Sequence, residues 1–153
     1  MKVSAHPPRP RSRRVLICDN SERERTALRR VLKGERYLVE EAADGRSALA
    51  AVARARPDLI LLELRLPDID GSEVLDALRA EHDERALPII VLSAERDGEV
   101  AAGCLALGAN AYLTRPIRPG ALLASAATQL EMHFIGALTI RGAPSRPDHS
   151  PLG

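Results

Sequence analysis

Four residues of this 153-residue chain stand where short apolar runs give way to polar ends. "RVLICD" ends on Asp19, with Asn20 next; "DLILLEL" carries Glu63; "PIIVLSA" carries Ser93; "AYLTRP" carries Arg115. Two acids, a hydroxyl and a guanidinium gathered in one small area would make a densely charged site, and what surrounds them narrows its chemistry. "CDNSERER" offers no glycine-rich loop to admit the phosphates of a nucleotide. No nucleophile at the end of a run has a nearby His or flanking elbow glycines, which argues against a Ser or Cys hydrolase. The four histidines, His6, His82, His133 and His149, fall in tails or helical stretches and read as solvent-facing.

The elements needed to gather these residues can be read from the spacing of apolar side chains. Arg14–Asp19 is a buried strand, and the "SERE" that follows is a capping box, with Ser21 as N-cap and Glu24 three positions on. Ala27, Leu28, Val31 and Leu32 recur at helical spacing until Gly34 stops the helix. Strands follow at Tyr37–Ala42, Asp58–Leu64, Pro88–Ala94 and Ala111–Pro116. Between them lie a helix ending before Pro57, one beginning near Ser72, and one over Asp97–Leu107 weakened by Gly98 and Gly103. Pro119 opens a last helix through Phe134. Five alternations of strand and helix imply an α/β, doubly wound parallel sheet, whose site lies at the carboxyl ends of the strands.

Composition sets further bounds. With 45% hydrophobic residues, no Trp, two Tyr and one Phe, the core must be aliphatic, and stacking platforms for single-stranded nucleic acid are scarce. No apolar segment reaches the ~20 residues that span a membrane. Cys18 and Cys104 lack metal or redox spacing and read as packing residues of a reducing, cytoplasmic compartment. Residues 1–14 carry Lys2, Arg9, Arg11, Arg13 and Arg14 with no acid, so an acidic globule follows a basic, Pro-rich tail. The expected organisation is a disordered tail over 1–13, one domain over 14–135 and a flexible tail over 136–153.

"VLICDN", "PDLILLELRLPDIDGSEVLDALR", "ALPIIVLSA" and "GANAYLTRPI", in this order and spacing, resemble the response-regulator receiver family, the CheY-like domains of two-component signalling. The resemblance covers roughly Arg13 to Phe134. It implies a flavodoxin-like five-stranded sheet in the order 2-1-3-4-5. It also implies a pocket in which two acids and the strand-three carboxylate bind Mg2+, helped by the backbone carbonyl at Arg65. In that family the strand-three Asp accepts a phosphoryl group, while a Ser or Thr and a Lys contact its oxygens, because a hard cation and an ammonium neutralise the developing charge.

Asp19 and Ser93 match this pattern; three positions depart from it. Asn20 replaces the second acid, which weakens any Mg2+ site. Glu63 replaces the acceptor Asp, and its extra methylene moves the carboxylate out by about 1.5 Å, where a misplacement of ~1 Å costs about a hundredfold in transfer. Arg115 replaces the Lys, a swap that is not conservative at a packed charged site. The departures compensate one another if Glu63 meets the fork of Arg115 in a bidentate pair, with Ser93 donating a third hydrogen bond.

The resulting expectation is an atypical, stand-alone, non-enzymatic receiver that acts by protein–protein contact without phosphorylation and requires no cofactor. The alternative is an ordinary phosphorelay receiver that takes a phosphoryl group from a histidine kinase with weakened Mg2+-dependent chemistry. Tyr112 matches the family's aromatic switch, and Arg115-Pro116 its cis peptide position. Output is expected from the face of the fourth helix, fifth strand and fifth helix, toward a sensor kinase, a downstream effector or a second copy, with no membrane or nucleic-acid partner. Asn110 and Ala111 replace acids that often pair the family's DNA-binding members.

Overall fold

The computed structural model describes the backbone of residues 12–142 and the side chains of residues 12–135. Five strands, β1 (Arg14–Cys18), β2 (Leu38–Ala42), β3 (Leu59–Glu63), β4 (Ile89–Ser93) and β5 (Ala111–Thr114), alternate with five helices. These are α1 (Glu22–Lys33), α2 (Gly45–Arg54), α3 (Gly71–Glu81), α4 (Gly98–Ala106) and α5 (Pro119–Gly142). The strands form one parallel sheet in the order β2-β1-β3-β4-β5, the expected doubly wound topology.

Every residue of β3 and β4 is buried, as continuous aliphatic runs require when helices cover both faces. The period of two along each strand sorts the core into halves. Leu16, Ile60, Leu62 and Val91 face α2, α3 and α4, packing on Val74, Leu75, Leu78 and Cys104. Val15, Ile17, Leu59, Leu61, Ile90 and Leu92 face α1 and α5, packing on Leu28, Leu32, Leu122, Ala126 and Leu130. Asp19 and Glu63 continue the second parity beyond the aliphatic runs, on the side where α1 and the β5–α5 loop stand.

Local chemistry fixes the helix starts. Asp44, Asp70 and Asp97 cap α2, α3 and α4 by accepting from Ser47, Ser72 and Glu99 amides. Gly71 is required by a close approach: a Cβ there would lie 2.5 Å from the Glu63 carbonyl oxygen and 2.7 Å from Leu64 Cα. Its own amide donates to the Leu64 carbonyl at 2.7 Å, so α3 begins directly against the backbone that carries Glu63.

The opposite end of the sheet is tied by Arg79 of α3. It donates to the carbonyls of Gly108 at 2.7 Å and Leu87 at 2.8 Å, and to Asn110 Oδ1 at 2.8 Å. Asn110 Oδ1 also accepts from the Ile89 amide at 2.8 Å, so this residue fastens β4 to the start of β5.

Gly34 ends α1 as expected, in a right-handed conformation, and the positive φ of 63° falls on Arg36. Several other local expectations need correction. Ser21 caps Glu24 as expected, but the reciprocal half of the capping box is absent: the Ser21 amide donates to Asp19 Oδ1 at 2.9 Å. Helix α5 runs to Gly142, past the boundary placed at 135. Arg13, assigned to the tail, is anchored: its Nη1 donates to the Leu130 carbonyl at 2.9 Å, and the guanidinium lies 5.0 Å from the centroid of the Phe134 ring. The remainder of both tails, 1–11 and 143–153, lies outside the described residues.

Candidate functional site

Among the described residues, the buried polar or charged ones are Asp19, Glu63 and Ser93, at 2%, 8% and 1% exposure. All three sit at the carboxyl end of the sheet. Buried carboxylates require compensation, since a lone ion in low dielectric is strongly disfavoured. Arg115 provides it from the loop after β5, beside the cis Arg115-Pro116 bond.

The Arg115 guanidinium reaches three carboxylates on three elements. Nε and Nη2 both donate to Glu63 Oε2, at 2.8 and 2.6 Å. Nη2 also donates to Asp19 Oδ2 at 2.6 Å, and Nη1 to Glu24 Oε2 at 2.8 Å. Glu63 Oε1 accepts from the Arg65 amide at 3.3 Å. The expected Glu63–Arg115 pairing is therefore present in a different form. Both donors converge on one oxygen, because the second oxygen is taken by the backbone and the guanidinium turns its other edge to Asp19 and Glu24.

Burial lowers the Arg115 pKa, but the hydrogen bond to Glu63 and the charges of Glu63, Asp19 and Glu24 outweigh it, so the net direction is up. Cys18 lies below this cluster with its thiol pKa pushed up to about 12, by burial first and then by the Asp19, Asp44, Asp68 and Glu63 charges. That thiol is an inert packing group.

The other residues of interest lie around this core. Ser93 has no hydrogen bond to Glu63; its Oγ accepts from the Glu95 amide two residues on, at 3.0 Å. Tyr112 is half-buried and donates to the Glu95 carbonyl at 2.8 Å, so Glu95 is held from both β4 and β5. Asn20 is exposed at the rim, and so is Arg65, whose Nη2 lies 3.7 Å from Glu95 Oε2. Pro116 lines a groove between α1 and α5 with Leu28, Val31, Ile117 and Leu122.

Sequence reasoning missed two residues. Glu24 reads as a helix cap, yet it supplies the third carboxylate; its place in the first turn of α1, facing the strand ends, is the available signal. His133 reads as solvent-facing, yet its side chain is 11% exposed and pairs with Asp58 at 3.4 Å. Nothing in the residue pattern of α5 distinguishes that contact in advance.

A divalent cation at this pocket would need free carboxylate oxygens. Asp19 Oδ2 and Glu63 Oε2 both engage Arg115, Asp19 Oδ1 holds the Ser21 amide, and Asn20 supplies no charge. Among the described residues no group of three or more His, Cys, Asp and Glu side chains is placed to hold a metal ion. As placed, Arg115 competes for the carboxylate oxygens that Mg2+ would need.

The fold and the site geometry point to one family. A model described as "Response regulator receiver domain" matches residues 15–127. This chain belongs to the response-regulator receiver family. The response regulator MprA of Mycolicibacterium vanbaalenii is 40% identical over 111 residues, covering 72% of this chain and 47% of that protein. The chain thus spans about half the length of the curated relatives it matches. Among solved structures, the receiver domain of a putative LuxO repressor protein from Vibrio parahaemolyticus superposes with a TM-score of 0.79 at 28% identity, covering 84% of this chain and 97% of that one. A CheY-like receiver from Methanospirillum hungatei gives 0.76 at 26% identity, covering 82% and 98%. The receiver described here is a signalling domain of the two-component type.

Proposed function

We propose that this receiver signals without phosphorylation at Glu63, by protein–protein contact alone, and that its phosphoryl pocket is closed by its own Arg115. The observation that carries this reading is the three-carboxylate grip of one guanidinium on Glu63, Asp19 and Glu24. An incoming phosphoryl group would have to displace that cation from two buried acids before Glu63 could attack. The same grip leaves Mg2+ binding weak, with no cofactor required and no enzymatic turnover. The partner is a sensor kinase, a downstream effector or a second copy, meeting the face of α4, β5 and α5. Leu105 and Leu107 at the end of α4 are 47% and 41% exposed there. Cytoplasmic residence accords with two free, buried cysteines. Among the described residues no helix is long and apolar enough to cross a membrane.

A phosphorelay reading is favoured by one feature, the retention of buried Asp19 and Ser93 at the positions the family uses. The two readings separate on exposure to acetyl phosphate with Mg2+, followed by intact-mass measurement. The wild type is expected to stay unmodified, while a Glu63→Asp/Arg115→Lys variant gains an acid-stable, base-labile acyl phosphate. Stoichiometric labelling of the wild type on Glu63 would establish the phosphorelay reading instead.

A further inference from the structure

His133 lies far from the acidic pocket, on α5 where the helix passes the other end of the sheet. Its ring is held between two acceptors. Nδ1 lies 2.7 Å from the Arg85 carbonyl oxygen and Nε2 lies 3.4 Å from Asp58 Oδ1. Asp58 precedes β3, Arg85 precedes β4, and the His133 and Asp58 side chains are 11% and 15% exposed. Asp58 Oδ2 is already engaged by the Arg14 amide at 2.8 Å, which fixes the carboxylate in place.

A neutral imidazole carries one N–H, so it can satisfy one of these acceptors and must turn a lone pair toward the other. Only the imidazolium donates to both. The charged surroundings come from every neighbouring element: Asp58 and Arg56 from the α2–β3 loop, Glu84 and Arg85 from the α3–β4 loop, Arg13 and Arg14 from the start of β1. The hydrogen bond to Asp58 is the largest influence and raises the His133 pKa; burial opposes it, the Arg85 carbonyl and the Asp58 charge add to it, and Arg56 subtracts. The net direction is up.

The contact matters because of where it falls along the helix. Among the described side chains Leu130 is the last buried residue of α5; beyond it Met132, Phe134 and Ile135 are 61%, 45% and 54% exposed. The Arg13 contact and the His133 bridge tie this turn to the body. We propose that His133 is a proton-dependent staple that fixes the turn of α5 at residues 130–135 to the floor of the sheet and releases it as pH rises. A raised folded-state pKa means that the stabilisation is complete below the unfolded value of about 6.5 and is lost as pH rises through the folded value. The device is independent of the acidic pocket and stands whether or not Glu63 accepts phosphate.

The test is a pH titration of the 15N-labelled full chain, following the imidazole nitrogens and the amide exchange of residues 130–135. His133 is expected to be doubly protonated at pH 6.5 and to titrate above that value. Protection at 130–135, corrected for intrinsic exchange, should then fall about tenfold for each unit by which the pKa exceeds 6.5. Asp58→Asn should bring the titration down, and His133→Gln should make protection at 130–135 pH-independent. His133 titrating at or below 6.5, or protection in the wild type that is flat between pH 6 and 9, would overturn the proposal.

Discussion

Replacing Arg115 by Met keeps most of the side chain's volume and removes its charge. Two carboxylates that are 2% and 8% exposed then face each other without a cation. Removing one partner of a buried ion pair costs about 3–5 kcal/mol, because the charge left behind stays desolvated. The Glu24 side chain, 48% exposed, adds only about 0.2–1 kcal/mol for its share of the contact. At about 3–4 °C per kcal/mol for a domain of this size, the melting temperature should fall by roughly 10–20 °C. The assay is urea unfolding followed by circular dichroism at pH 7. The deficit should narrow in the Arg115→Met/Glu63→Gln double variant, with a coupling of at least about 1 kcal/mol. A loss under about 1 kcal/mol, additive with Glu63→Gln, would refute the view that the guanidinium compensates the buried acids.

Gly71→Ala should destabilise by about 3 kcal/mol, at the upper end of overpacking costs, because the added methyl meets the Glu63 carbonyl and Leu64 Cα rather than a movable side chain. Denaturant midpoints give the size, and perturbed amide shifts at Glu63–Arg65 should show that the strain reaches the site. Asp68 crosses from the β3–α3 loop to accept from the Gly45 and Arg46 amides at 2.8 and 2.9 Å, at the start of α2. Desolvation pushes its carboxyl pKa up, but the bonds from the Arg46, Gly45 and Ile69 amides outweigh this and hold it at about 2. Because the folded pKa is depressed, the contribution of Asp68 is present above the unfolded value of about 3.9 and fades as pH falls through about 2. The difference in urea midpoint between wild type and Asp68→Asn should close over that window, and a difference independent of pH would contradict the assignment.

The sheet was legible because its signal is redundant. β3 and β4 are unbroken aliphatic runs, each followed by a turn carrying Asp, and a parallel sheet is the arrangement that buries such runs on both faces. The meeting of Asp19, Glu63 and Arg115 followed from the rule that strand ends share one edge. What the sequence did not disclose was the assignment of donors to acceptors. A guanidinium presents five N–H groups in a rigid fork on a rotatable stem, so its choice of one Glu63 oxygen, Asp19 and Glu24 depends on which oxygens the backbone has already taken. The spacing likewise did not disclose that Ser93 Oγ accepts from the Glu95 amide two residues away and has no hydrogen bond to Glu63. The length of α5 escaped because Gly136 and the tail beyond it carry no amphipathic stripe to mark a helix.

Helix α4 differs from its neighbours in how little attaches it. Cys104 is its one buried residue, Val100 is half-buried beside it, and Cβ atoms added at Gly98 or Gly103 would meet nothing within 4 Å. Few positions on it can therefore open a cavity or clash when they change, and surface substitutions of that kind fall mostly within ±0.5 kcal/mol. The pocket around Arg115 has no such latitude, since each of its members answers to the others. Mutational drift would then run at two speeds within one domain: the surface of α4 could be rewritten residue by residue, while the charged centre could change only through several substitutions made together.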